Sequence, residues 1–190
     1  MHLHNPVELI TDAQEALQLL KDGNERFVKG ELSRKDDYEN IRESLNDGQK
    51  PFAIILCCAD SRVDPEIYFD QKLGDIFVIR NAGNVVDDVV LGSIEYGAEH
   101  LGCPLMVVVG HTNCGAVTAA VEGGEAPDHI LSIIKKIRPS IKEGETIDEV
   151  AVENAKAMAN EIANDDMVKR LGTKVVPAIY DILTGKVTWL

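Results

Sequence analysis

The stretch Phe52-Ala53-Ile54-Ile55-Leu56-Cys57-Cys58-Ala59-Asp60-Ser61-Arg62 decides the fold. Its first seven residues carry no charge and show no polar alternation, so they read as a strand buried on both faces. Strands of that kind belong to parallel sheets covered by helices. A polar turn follows at once, with a carboxylate at Asp60 and a guanidinium at Arg62. The same grammar recurs at Pro104 to Gly110, an apolar run that opens directly into His111-Thr112-Asn113-Cys114-Gly115. Ligands of open parallel sheets gather at the carboxyl ends of the strands. Two thiols and an imidazole are therefore delivered to one edge of one sheet.

Cys58, His111 and Cys114 form a credible three-ligand zinc site. Cysteine binds zinc as thiolate and histidine as neutral imidazole, and three protein ligands leave the fourth tetrahedral position for water, the catalytic arrangement. His111 and Cys114 stand three apart at the mouth of one strand, so a single turn can aim both at one ion. Cys58 must come from a neighbouring strand. Buried free cysteines and lone histidines are common without a metal. That plain reading is taken for Cys57, which alternates away from Cys58, and for Cys103, which precedes Pro104 at a turn. Asp60 and Arg62 have a plain reading as a turn ion pair. Beside a metal, an arginine fork would instead fix which way the carboxylate points.

Outward from these two stretches, the chain alternates strands and helices. Thr11-Asp12 starts a helix with capping-box spacing, and Leu17, Leu20, Asn24, Phe27 and Val28 recur along it. The stripe is narrow, and a surface helix on its own core competes with an arm on a neighbouring subunit. A second helix is read from Asp36 to Leu45. Pro65 opens a short helix to Phe69, Ile76 to Ile79 is a strand, and Asp87-Asp88 begin a helix that ends near Gly102. Gly115 opens a helix to Val121, and another runs from Asp128 to Ile137. One long helix is expected from Thr146 to Leu171, followed by a strand from Lys174 to Tyr180 and an extended piece to Leu190. The pattern predicts an α/β domain around a mostly parallel central sheet flanked by helices. It is one domain over residues 1–190, with a helical arm at 1–50 and the α/β core at 51–190.

The 190 residues carry a formal charge of −13, which argues against a nucleic-acid partner. No run of 18 to 20 apolar residues suggests a membrane span. The start lacks the basic-then-apolar pattern of a secretory signal, and the four cysteines sit in or beside apolar runs. Both point to a reducing, cytoplasmic setting.

Taken together, Cys58-Ala59-Asp60-Ser61-Arg62, Arg80-Asn81-Ala82-Gly83-Asn84 and Gly110-His111-Thr112-Asn113-Cys114-Gly115 resemble the β-class carbonic anhydrase family. Further matches are Glu15-Ala16-Leu17, Gly23-Asn24-Glu25-Arg26-Phe27, Phe69-Asp70-Gln71, Leu73-Gly74-Asp75, Tyr180-Asp181 and Thr184-Gly185. The resemblance implies Zn2+ on Cys58, His111 and Cys114, and a catalytic dyad of Asp60 and Arg62. It implies reversible hydration of carbon dioxide to bicarbonate and a proton, through zinc-bound hydroxide. It also implies a substrate pocket of Gln49, Phe77, Ala82, Tyr96 and Gly115, supplied partly by a partner subunit. The enzyme would then be a homodimer or tetramer, with the N-terminal arm packed across the interface.

Some members of that family carry a regulatory bicarbonate site that uses a tryptophan three residues before the first zinc cysteine. Here Ile55 stands there, although Arg80 and Tyr180 match other parts of that site. Asp60 is therefore expected on Arg62, clear of the metal, at mildly alkaline pH. The same metal set would also suit hydrolysis of carbonyl sulfide or carbon disulfide, and a zinc-bearing scaffold without turnover is the reading from another class. No group is assigned as proton shuttle. His100 and His129 have the chemistry, but surface or capping roles explain them as well.

Overall fold

The computed structural model describes residues 9–33, 38–123 and 126–190. Its helices are α1 (Ala13–Lys29), α2 (Tyr38–Ser44), α3 (Pro65–Tyr68), α4 (Asp88–Glu99), α5 (Gly115–Glu122), α6 (Ile130–Ile137), α7 (Ile147–Ala163) and α8 (Asp166–Leu171). Its strands are β1 (Ala53–Cys58), β2 (Ile76–Asn81), β3 (Leu105–His111), β4 (Lys174–Tyr180) and β5 (Val187–Trp189), in the sheet order β2-β1-β3-β4-β5. The first four are parallel to their neighbours, and β5 pairs antiparallel with β4. The expected fold class is the one found. Residues 36 and 37 of the second expected helix lie outside the described residues.

Every residue of β1 and β3 is buried, which is why neither strand shows polar alternation. Successive side chains point to opposite faces, so each strand feeds two cores. Ile54, Leu56, Cys58, Met106 and Val108 pack with α4 to α7 on one face. Ile55, Cys57, Val107 and Val109 pack with α1 and α3 on the other. Cys57 is thus turned away from Cys58, as its alternation predicts. The Cys103 thiol donates to the carbonyl of Pro51 at 3.1 Å and plays a packing part.

Helix α1 is capped by Asp12, whose carboxylate accepts from the amides of Gln14 and Glu15 at 2.6 and 3.0 Å. Of the two readings of its stripe, packing on the chain's own core is seen within one chain, with Ala16, Leu17 and Leu20 buried there. The close approach is made at Gly23, where a Cβ would stand 1.7 Å from the carbonyl oxygen of Phe69. Asn24 fixes it, donating through Nδ2 to the carbonyls of Tyr68 and Gly185 and accepting the amide of Val187. Arg26 adds a buried pair to Asp70 at 2.5 Å.

The long helix expected from Thr146 to Leu171 is two helices. Asp165 interrupts it in extended backbone, and its carboxylate caps α8 by accepting the amides of Met167 and Val168, both at 2.9 Å. A cap of that strength stabilises a new helix start as well as it would a chain-initial one. None of the described helices is long and apolar enough to cross a membrane.

Candidate metal centre

Cys58 is the last residue of β1, His111 the last of β3, and Cys114 the residue that opens α5. These strands are direct neighbours, so the two turns leave the sheet side by side. The sulfurs of Cys58 and Cys114 and a ring nitrogen of His111 all lie within 4.8 Å of one another, and all three residues are buried. Nδ1 of His111 lies 2.9 Å from the carbonyl oxygen of Thr112. Nε2 is buried with no hydrogen-bond partner. Nδ1–H donating to that carbonyl fixes the tautomer and leaves the Nε2 lone pair to the group, the arrangement metal-bound histidines use.

The sulfurs are prepared in the same sense. The Cys58 thiol is driven down to about 4, mainly because the Cys114 thiol donates to it; burial opposes the shift, while His111 and the Gly83 amide add to it. Cys114 is pushed up by the same contact and by burial. Cysteine binds a cation as thiolate with release of its proton, so a sulfur already biased toward the anion suits a metal. A buried ring nitrogen without a hydrogen-bond partner and two sulfurs, all within 4.8 Å of one another, fit a soft divalent metal.

The turn after β1 carries Asp60 and Arg62. Arg62 holds Asp60 by both oxygens, Nε to Oδ1 at 2.9 Å and Nη2 to Oδ2 at 2.7 Å, while its own amide donates to Oδ1 at 2.9 Å. That fork keeps the Asp60 carboxyl well below the usual carboxylate range despite partial burial. Asp60 is not among the three donors that converge. The pairing with Arg62 is the one expected from the sequence. Arg80 of β2 braces the turn from behind, donating to the carbonyls of Cys58 at 3.3 Å and Asp60 at 2.8 Å.

The loop after β2 closes the third side. Gly83 donates its amide to Cys58 Sγ at 3.3 Å. Its φ of +76° and the nearness of Ile137 and Ala116 leave no room for a side chain. Ala82 precedes it, half-buried, and Gly115 is exposed beside Cys114 at the start of α5. Gln49 is exposed in the segment before β1. Phe77 pairs in register with Ile54, four residues before Cys58, which is roughly 13 Å along the strand. Tyr96 lies with it, ring centroids 6.2 Å apart. Within one chain, Phe77 and Tyr96 stand toward the far end of the sheet from the metal group.

Three contributors were not singled out from the sequence. They are the amide of Gly83, the side chain of Asn154, which reaches the carbonyl of Gly83 at 3.0 Å, and Asp148, which accepts the amide of Asn113 at 2.8 Å. The available signal was Asn154 itself, a polar residue on the buried side of an otherwise apolar stripe.

A family model for carbonic anhydrase matches residues 53–187. Carbonic anhydrase 2 of Mycobacterium tuberculosis is 47% identical over 135 residues, 69% of this chain and 65% of that protein. The carbonic anhydrase of Mycolicibacterium smegmatis is 48% identical over 130 residues, 66% of this chain and 63% of that protein. The match thus spans just under two thirds of the length of these relatives. Among solved structures, a β-carbonic anhydrase of Aspergillus fumigatus superposes with a TM-score of 0.74 at 24% identity, covering 93% of this chain and 89% of that one. β-Carbonic anhydrases of Sordaria macrospora, described as tetrameric, give 0.73 at 24% identity, over 80% and 88%. The fold is theirs, the matched span holds all three converging donors and the Asp60–Arg62 pair, and the chain belongs to the carbonic anhydrase family.

Proposed function

We propose that this chain catalyses the reversible hydration of carbon dioxide to bicarbonate and a proton. The observation that carries the reading is the juxtaposition of three convergent soft donors with a carboxylate held by an arginine fork. We assign zinc to Cys58, His111 and Cys114. Tetrahedral zinc with bonds of about 2.0–2.3 Å puts its donors roughly 3.5–3.8 Å apart, within reach of a set this close. When bound, zinc supplies a Lewis acid that lowers the pKa of water from about 15.7 toward about 7.

The chain's own residues do the rest. Asp60 receives one hydrogen bond on Oδ2 from Arg62, and a carboxylate oxygen has a second acceptor position. That position orients a nucleophilic water by accepting its hydrogen, and Arg62 keeps Asp60 from turning to the metal instead. The amide of Gly115, in the first turn of α5 where no helical partner exists, holds the anionic product. Ala82 supplies a small apolar wall.

Gln49, Phe77 and Tyr96 belong to the pocket only across a subunit boundary, in a homodimer or a tetramer built from dimers. The separation of Phe77 from Cys58 along β1 supports this, as does the exposure of Tyr96 at 48%. The exposed sides of α1 and α2, in the helical arm of residues 1–50, would meet the partner, with 51–190 as the α/β core of one domain. Four buried cysteines without a disulfide suit a reducing compartment, and we assign the enzyme to the cytoplasm on that ground.

Metal analysis coupled to stopped-flow hydration, on wild type and Asp60→Asn, tests the reading. Zinc near one per chain, with hydration that falls at least about 100-fold in Asp60→Asn while zinc is retained, supports it. Zinc at full content without hydration, at both neutral and alkaline pH, overturns it.

A further inference from the structure

Helix α7 reaches the metal group twice, each time from outside. Asn154 is fully buried, and its Nδ2 donates to the carbonyl of Gly83 at 3.0 Å. The amide of the same glycine donates to Cys58 Sγ at 3.3 Å. A single residue therefore carries the hold from Asn154 to the sulfur. Asp148, in the first turn of the same helix, accepts the amide of Asn113 through Oδ1 at 2.8 Å. Asn113 lies between His111 and Cys114 in left-handed backbone, φ 54°, and its carbonyl accepts from Arg62 at 3.3 Å. One rigid element thus grips the loop behind the first ligand and the turn that carries the other two.

Packing alone does not account for an amide at position 154. Its buried companions on α7 are Val150, Ala151, Ala155, Met158, Ala159 and Ile162, all apolar. Oδ1 of Asn154 has no hydrogen-bond partner. Burying a polar atom unpaired is destabilising, and an apolar side chain of similar volume would avoid that cost. The bond to Gly83 is the one feature that a leucine could not reproduce. Outer hydrogen bonds of this kind orient metal ligands, and their loss typically costs about 10–100-fold in metal affinity or activity.

We propose that Asn154 and Asp148 are positioning residues of the metal centre: Asn154 sets the Gly83 amide against Cys58, and Asp148 fixes the turn that spaces His111 and Cys114. The inference rests on the metal-binding reading above. Three variants test it: Asn154→Leu, Asp148→Ala and Asp148→Asn. The last keeps an oxygen that can accept from the Asn113 amide. Far-UV circular dichroism and thermal unfolding of the metal-free proteins establish which are folded. Zinc affinity is then measured by competition with a chromophoric chelator, and the sulfur-to-cobalt absorption is recorded after loading with Co2+. Asn154→Leu and Asp148→Ala are expected to lose about tenfold or more in zinc affinity and to show an altered cobalt spectrum, with Asp148→Asn restored to near wild type. Folded variants that bind both metals as wild type does overturn the proposal. Equal losses in Asp148→Asn and Asp148→Ala assign the effect to charge and overturn the role of the hydrogen bond. If Asn154→Leu does not fold, the exposed Asp148 pair decides alone. Wild type that takes up no cobalt on sulfur is a different result, because it removes the metal-binding reading itself.

Discussion

Arg62 grips Asp60 by both carboxylate oxygens, at 2.9 and 2.7 Å, from a position two residues along the same turn. Such a short loop leaves few other geometries for the pair, so the planar fork sets the direction of the carboxylate. Lysine keeps the charge but not the fork. Arg62→Lys is therefore expected to retain its zinc and lose roughly 10- to 100-fold in hydration rate. Stopped-flow kinetics with metal analysis on the same sample checks this, and an undiminished rate would assign Arg62 to charge alone.

Metal removal should reveal a graded set of thiols. Burial pushes Cys57 and Cys103 up to about 12, whereas the contacts of Cys58, that with Cys114 first among them, bring its thiol down. The thiolate is the reactive form. A brief iodoacetamide pulse at pH 7 on metal-free protein, read by peptide mass spectrometry, is expected to label Cys58 first and to spare Cys57 and Cys103. Loading with zinc before the pulse should protect Cys58 and Cys114. Labelling of Cys57 ahead of Cys58 would contradict the assignment.

Gly23 tests how tightly α1 is seated. Helix propensity alone would favour alanine there by about 1 kcal/mol. A Cβ, however, would meet the Phe69 carbonyl oxygen at 1.7 Å, and that oxygen is backbone rather than a movable side-chain tip. Overpacking of this kind costs about 1–3 kcal/mol or more, so the clash decides the sign. Gly23→Ala is expected to lose about 2 kcal/mol net, a fall in Tm of roughly 4–8 °C for a chain of this size. A raised Tm would show that α1 is free to shift.

The buried Arg26–Asp70 pair gives a pH signature. Burial alone would raise the Asp70 carboxyl, but the hydrogen bonds from Arg26 and from Ser33 outweigh it and hold it low. A depressed carboxylate contributes stability above its unfolded pKa of about 3.9, and that contribution disappears as pH falls through the folded value. Asp70→Asn leaves Arg26 buried without its anion and is expected to cost about 3–5 kcal/mol at pH 7. The gap from wild type should narrow below about pH 4. Urea unfolding at pH 7, 5 and 3 measures it, and a gap that stays constant with pH would exclude the pair as its source.

The parts legible in the sequence were those written in consecutive residues. The apolar runs ending at Cys58 and Gly110 placed both strands, and the turns behind them carried the three donors and the dyad. Contacts that join distant segments through a single atom were not legible. The Gly83 amide reaches Cys58 because β2 lies beside β1, and no local pattern states that pairing. Asn154 is a polar residue among the buried apolar ones of α7, and nothing local in the sequence names the Gly83 loop it holds. The division between α7 and α8 was missed for a local reason. Asn164-Asp165 sits within residues that suit a helix, and only the side chain of Asp165 turning back onto Met167 and Val168 marks a new start. The stripe of α1 was narrow because much of its contact is polar or side-chain-free, through Gly23, Asn24 and Arg26.

Asn24 ties a helix near the start of the chain to residues 185 and 187, across separations of 161 and 163 residues. During synthesis the bond from that amide to the Tyr68 carbonyl can close early, but those to residues 185 and 187 cannot form until these late residues have left the ribosome. The final seating of the first long helix is therefore among the slow, non-local steps of folding. A nascent chain arrested before residue 185 should leave α1 more open to protease than it is in the full chain, even with β1 and β3 in place.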